Sequence, residues 1–363
     1  MLAYVIRRLL LIPVTLLGIM AVNFLFAQLA PGGPVEQMMA RVQDQTSLAT
    51  SRLSGGGSEV AEARGGGGAD GAYRGAQGLD PAYLKELETQ FGFDKPPLER
   101  FVKMMGDYAR FDFGNSFFRD ESVVSLVIEK MPVSISLGLW STLIIYLVSI
   151  PLGVTKAVRD GSPFDVATSW AVVVGYAVPG FLFAILLVVL FAGGTYLSIF
   201  PLRGLTSPGW EDFPLWLKLA DYFWHMALPI LALVIGGFAG LTMLTKNSFL
   251  EEINKQYVIT ARAKGLSERR VLYGHVFRNA MLLIIAGFPS VLIGILFTGA
   301  LLVEIIFSLD GIGLLGFEAV INRDYPVMFG TLYAFGLIGL LLNLAGDIAY
   351  HLVDPRIDFE ARG

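Results

Sequence analysis

Six stretches of this chain run for 22 residues or more without an Asp, Glu, Lys or Arg: 9–35, 131–155, 166–202, 222–245, 279–303 and 325–346. A helix rising about 1.5 Å per residue needs roughly 20 apolar residues to cross about 30 Å of hydrocarbon. The runs therefore predict an all-α polytopic membrane protein with six spans, near 9–29, 133–155, 167–192, 224–245, 280–303 and 327–346. The 37-residue run 166–202 is read as one span plus an uncharged outer connection holding Gly193, Gly194 and Pro201, since two spans and a turn would not fit. Composition agrees, at 54% hydrophobic and 16% charged, against about 45–50% and about 25% in ordinary soluble domains. This balance excludes a disordered chain, a collagen and a disulfide-stapled scaffold. A net charge of −4 argues against nucleic acid as a partner, and the absence of cysteine removes thiol chemistry and thiolate metal sites. His225, His275 and His351 lie too far apart in sequence to suggest a metal centre.

Arg7 and Arg8 followed by an apolar run resemble a signal peptide, but about 20 apolar residues exceed the 7–15 of a signal core, so the run is taken as a retained first span. With the N-terminus inside, the inner segments carry 13 Lys and Arg and the two short outer loops only 3, Arg203, Lys218 and Arg323. That asymmetry predicts both termini in the cytoplasm of a multi-pass inner (plasma) membrane protein.

The expected organisation is a first span over 1–30, an extracytoplasmic subdomain over 31–130, a core of five spans over 131–350 and a cytoplasmic tail over 351–363. Within the subdomain, residues 54–78 contain 10 glycines in 25 and read as a flexible insertion. They lack the Gly-Lys-Ser/Thr ending and preceding strand of a phosphate loop. Short amphipathic helices are expected at 81–91 and 98–110. Proline interrupts several spans, at Pro13, Pro151, Pro179, Pro229 and Pro289. Each removes a backbone hydrogen bond and kinks its helix, and Pro151, Pro179 and Pro289 are the candidates for functional bending. The middle of every span is free of charge, so a proton-driven carrier would lack its usual midplane relay. Asn23 and Asn343 are expected to bond between helices.

The loop 246–279 carries the sharpest pattern. Residues 247–264 suit a helix, Gly265 stops it, and Ser267 is a candidate N-cap for a second helix, with Arg270 where a capping box would want Glu. A cationic helix–Gly–helix elbow suits a docking site for a soluble partner and equally a solvated loop against lipid headgroups. TyrValIleThrAlaArgAlaLysGlyLeuSer at 257–267, with HisValPheArgAsnAla at 275–280, resembles the EAA-type loop of ABC importer permeases. TyrValIleArgArgLeuLeuLeuIlePro at 4–13, AlaProGlyGlyPro at 30–34, GluIleIlePheSerLeuAspGlyIleGlyLeuLeuGly at 304–316 and ArgAspTyrProValMet at 323–328 resemble the dipeptide/oligopeptide/nickel family of these permeases. The long glycine-rich outer segment and PheGlyPheAspLysPro at 91–96 are most similar to its Yej-type branch, linked to peptide and microcin C uptake. Many relatives carry Trp-Pro where this chain has Leu309-Asp310.

The resemblance implies a type I importer permease fold and no catalytic residue or bound cofactor. ATP and Mg would be used by two ABC ATPase domains or one fused ATPase. The other implied partners are a second, homologous permease, a periplasmic binding protein and the lipid bilayer. It makes 257–272 a coupling helix on an ATPase, with Tyr257, Thr260, Ala261, Arg262, Ala263, Lys264, Gly265 and Leu266 as contacts. Ala261 and Gly265 would allow close approach, and Arg262 and Lys264 would meet acidic groups. Peptides are the favoured cargo, with nickel or another small solute the alternative and a proton-driven carrier a more distant one.

Overall fold

The computed structural model describes residues 2–29, 95–119, 121–193, 196–294 and 301–353. Within them regular structure is helical, apart from a single bridge between Asn115 and Ser122. The insertion 54–78, the helix expected at 81–91 and the tail after 353 lie outside the described residues. The helices are α1 (Leu2–Leu29), α2 (Pro97–Tyr108), α3 (Val123–Val158), α4 (Pro163–Ala177), α5 (Gly180–Phe191), α6 (Leu215–Ile253), α7 (Gln256–Ala263), α8 (Glu268–Val271), α9 (Phe277–Gly294), α10 (Leu301–Ile306), α11 (Ile312–Asn322) and α12 (Tyr325–Val353). A π turn over Leu272–Val276 joins α8 to α9.

Five helical stretches among the described residues are long and apolar enough to span: Ala3–Leu29, Val123–Val158, Leu215–Ile253, Glu268–Pro289 and Tyr325–Leu352. The sixth is broken. α4 ends at Ala177, Val178 is extended (φ −87°, ψ 118°), and the chain turns by 90° into α5. Pro179 stands at this break, where its missing N–H and fixed φ cost least. α3 and α6, at 36 and 39 residues, are about 54 and 58 Å long. They outrun the charge-free stretches because a helix need not end where its apolar surface does. Pro132, Pro151 and Pro229 sit inside these two helices, and Pro289 sits inside α9. Asn23 donates to the Ile19 carbonyl on its own helix at 2.8 Å, so the expected interhelical role is not seen there.

The chain forms two compact units. One comprises 1–13, 127–315 and 335–363. Here α3 and α6 pack closely through small residues: a Cβ on Gly153 would lie 2.5 Å from Thr245 Cβ, and one on Gly237 would lie 2.5 Å from Ile145 Cδ1. Ser149 Oγ adds a hydrogen bond to the Phe238 carbonyl at 3.1 Å. A core of Leu137, Ala184, Met226, Ala232, Val303 and Phe307 joins α3, α5, α6 and α10. His225 is buried at the start of the charge-free part of α6. Its Nδ1 lies 2.9 Å from the Asp221 carbonyl, and the Asp221 carboxylate accepts from Ser207 N–H and Oγ at 2.8 and 2.6 Å. Asp221 therefore ties the loop at Ser207 to α6.

The other unit comprises 14–126 and 316–334. α2 packs Phe101 on Phe24 (5.3 Å between centroids) and Tyr108 edge-on to Phe113 and Tyr333 (4.9 and 5.6 Å). The loop after α2 is held by Asp324, which accepts from Ser116 Oγ and from Phe117 N–H, the latter at 3.1 Å.

Candidate functional site: the elbow at 246–279

α6 ends at Ile253, Lys255 adopts an extended conformation (φ −75°, ψ 152°), and α7 begins. α7 is a two-turn helix whose C-terminus is closed by Gly265 at φ +81°. Gly265 N–H donates to the Arg262 carbonyl at 2.9 Å and Leu266 N–H to the Ala261 carbonyl at 3.3 Å, a glycine-dependent helix stop. Nothing lies within 4 Å of the position a Gly265 Cβ would take. Backbone conformation, not a close neighbour, therefore selects glycine at this point. Ser267 stands at the N-cap of α8, as the sequence predicts, with extended backbone but no side-chain cap bond.

The inner face of the elbow is a compact apolar core. Val258, Ala261, Val271, Val276 and Ala280 are buried against Phe249 of α6 and Val154 and Ala157 of α3. In an α-helix, positions five apart lie about 140° apart. The π turn lets Val271 and Val276 face the same core. Leu266 and Tyr257 pack at its edge, and Tyr257 Oη donates to Glu252 at 2.7 Å. Burial and Glu252 together raise the Tyr257 pKa above the ordinary phenol value, while the hydrogen bond to Glu252 raises that of Lys255 and keeps it charged.

The structure divides the eight sequence-selected residues between two faces. Ala261 is 8% exposed and its small side chain is accommodated by this chain's own core. Arg262 pairs with Glu268 at 3.0 Å, so its charge is partly answered within the chain. Thr260, Ala263, Lys264 and Gly265 face outward, joined by Ile259, 52% exposed, which the sequence motif alone does not single out. Two adjacent apolar residues, Val258 and Ile259, cannot both face one core from a short helix, and that is the signal that could have found it. Lys264, Arg269 and Arg270 have no ion-pair partner among the described residues. A cavity of about 320 Å³ lies beside them, lined by Val158, Ile253, Arg262, Arg269, Leu272 and Tyr273 among others. The elbow is thus a packed apolar wedge with a cationic, partly apolar outer face, a construction that can receive an acidic protein surface.

Of the bending candidates, Pro179 stands at the 90° break, while Pro151 and Pro289 remain within continuous helices. Gly346 approaches the Pro289 ring so closely that no Cβ would fit between them.

Residues 149–359 match the family described as binding-protein-dependent transport system inner membrane component. Over 360 residues the chain is 59% identical to the peptidoglycan transport system permease protein YejB of Agrobacterium fabrum, covering 99% of both. It is 59% identical over 362 residues to the inner membrane ABC transporter permease protein YejB of Escherichia coli O157:H7, covering 99% of this chain and 100% of that one. Identity to the oligopeptide transport system permease protein AppB of Bacillus subtilis is 31% over 360 residues, covering 99% and 100%. The family match takes in the whole elbow, the broken-span pair α4–α5 and the last span. This multi-pass chain belongs to the binding-protein-dependent inner membrane component family and is the permease component of an ABC importer.

Proposed function

We propose that this permease carries peptides inward by alternating access, with ATP and Mg handled by separate ATPase subunits and the elbow at 246–279 receiving their motion. The observation that carries the reading is the division of the elbow into a packed inner face and an exposed outer one. Ile259, Thr260, Ala263 and Lys264 form the docking surface, with Arg269 and Arg270 beside it, and the partner presents acidic groups. Both termini are cytoplasmic, a second homologous permease completes the path, and a periplasmic binding protein delivers cargo. The names of the relatives support peptides or peptide-containing wall fragments as cargo. Spans with uncharged middles suit such cargo, because they bind varied sequences weakly.

The test is reconstitution in proteoliposomes with the second permease, the ATPase and the binding protein. Labelled peptides should accumulate only with ATP and Mg. Uptake of nickel in place of peptide would overturn the cargo. Uptake driven by a proton gradient without ATP would overturn the importer mechanism.

A further inference from the structure

Charge is nearly absent from the spans, yet one lysine is completely buried. Lys156, in the last turn of α3, has a side chain of 0% exposure. Its ammonium donates to the Asp165 carbonyl at 2.8 Å, to Thr168 Oγ1 at 2.9 Å and to Ser169 Oγ at 2.7 Å, and it lies 2.9 Å from Asp165 Oδ1. All four contacts belong to the beginning of α4. The other Asp165 oxygen accepts from Lys246 of α6 at 2.8 Å and from Gly161 N–H at 3.1 Å. Lys246 also reaches Asp160 at 2.8 Å. Two lysines and one carboxylate thus tie the end of α3 and the start of α4 to α6, next to the close Gly153–Thr245 contact between α3 and α6.

Burying such a network removes ions from water, and apolar residues of similar volume hold helices together at least as well. What the charges add is a fixed geometry. The same turn of α3 presents its neighbours Val154 and Ala157 to the elbow core, against Val258, Ala261 and Val271. α3 therefore grips the elbow with one face and α4 with another. At its far end α4 has no continuous hydrogen-bond ladder into α5, because Val178 is extended and Pro179 has no N–H.

Resting on the proposed role of the elbow, we propose that Lys156, Asp165 and Lys246 are positioning residues: they form the joint through which a displacement of the elbow carries α4 with α3 and α6, while Val178–Pro179 serves as the pivot against α5. The joint acts by holding α4 in register with the elbow. It touches no cargo.

The chain has no cysteine, so spin labels can be placed at introduced pairs without background. Val158 with Tyr176 reports α3 against α4, and Val158 with Ile185 reports α3 against α5; all three side chains are exposed. In the complete importer complex, ATP should leave the first distance unchanged and shift the second. Lys156→Met/Asp165→Leu/Lys246→Met replaces the network by apolar side chains. It should still copurify with the ATPase and hydrolyse ATP, but broaden the Val158–Tyr176 distance and lower peptide uptake per ATP at least tenfold. If the triple variant does not insert, Lys246→Met, which leaves every Lys156 contact in place, should lower uptake per ATP about threefold with hydrolysis retained. Normal uptake per ATP in whichever of these variants inserts overturns the joint, as does an ATP-induced change in the unsubstituted Val158–Tyr176 distance. Loss of ATP-driven uptake in the unsubstituted complex would instead overturn the importer reading on which the joint rests.

Discussion

Glu304 accepts a hydrogen bond from the Leu314 N–H at 2.7 Å and thereby closes the N-terminus of α11. Its other oxygen lies 3.1 Å from Ser134 Oγ, and that hydroxyl also accepts from Ile312 N–H at 2.9 Å. A completely buried carboxylate thus gathers the free amides at a helix start, where the helix dipole favours negative charge. The chain comes so near that a Cβ on Gly311 would fall on the carboxylate. The run from Glu304 to Gly316, which carried much of the family resemblance, has an intramolecular reason to keep its spacing. Glu304→Ala should cost about 2–3 kcal/mol by leaving buried amides unpaired, and Gly311→Ala should damage the same contact. Thermal unfolding in detergent should show the double variant losing less than the sum of the single losses.

Asp310 lies 2.5 Å from the ammonium of Lys130. The lysine side chain is 10% exposed and the aspartate 62%, so solvent weakens the pair. Asp310→Ala should cost about 1 kcal/mol or less, because Glu129 remains 2.7 Å from Lys130. Lys130→Ala should cost more, since it also removes the packing of the lysine stem. Paired melting curves of the two variants give the order.

Gly265 separates backbone demand from crowding. Its φ of +81° penalises any residue with a Cβ, yet the space beside it is open. Gly265→Asn should be tolerated better than Gly265→Val, because asparagine enters the left-handed region more readily and a β-branched residue does so least. The valine variant should insert but lose at least tenfold in uptake per ATP hydrolysed; equal uptake by the two variants would refute the backbone argument.

The two faces of α7 should respond oppositely to substitution. Ala261→Leu forces extra volume into the core with Val258, Val271 and Phe249, and should destabilise the permease by about 1–3 kcal/mol. Ile259→Asp, on the exposed face, should leave the melting temperature within the effect of an ordinary surface change yet abolish copurification with the ATPase. Tandem melting and pull-down assays on both variants separate folding from docking.

The spans were legible because a chain that folds in water seldom goes 22 residues or more without a charge, whereas a helix in lipid must. Gly265 was legible because helix stops have a local signature. The break at Val178–Pro179 was half legible. Proline marked the place, but whether a helix continues through a proline, as at Pro151, or ends at one depends on neighbours. The pairing of Lys156 and Lys246 with Asp165 was hidden. In sequence both lysines sit just beyond charge-free runs, like any charge at a membrane boundary, and only the folded chain brings 156, 165 and 246 together. The burial of Ala261 on the inner face was hidden for a related reason: a small residue reads alike whether the surface it fits belongs to the same chain or to a partner.

The π turn at Leu272–Val276 sets a phase relation between the elbow and the span that follows. Its five residues advance about 410°, close to the about 400° of four α-helical residues, so deleting one would restore an unbroken α-helix with the facing kept, whereas rewinding all five as α-helix would rotate everything beyond by about 90°. Val276 and Ala280 would swing away from Phe249, and the lining of α9 would turn with them. The winding of the five residues before Phe277, rather than their number alone, thus sets which side of the last-but-one span faces its neighbours: the π turn takes up one extra residue without turning that span.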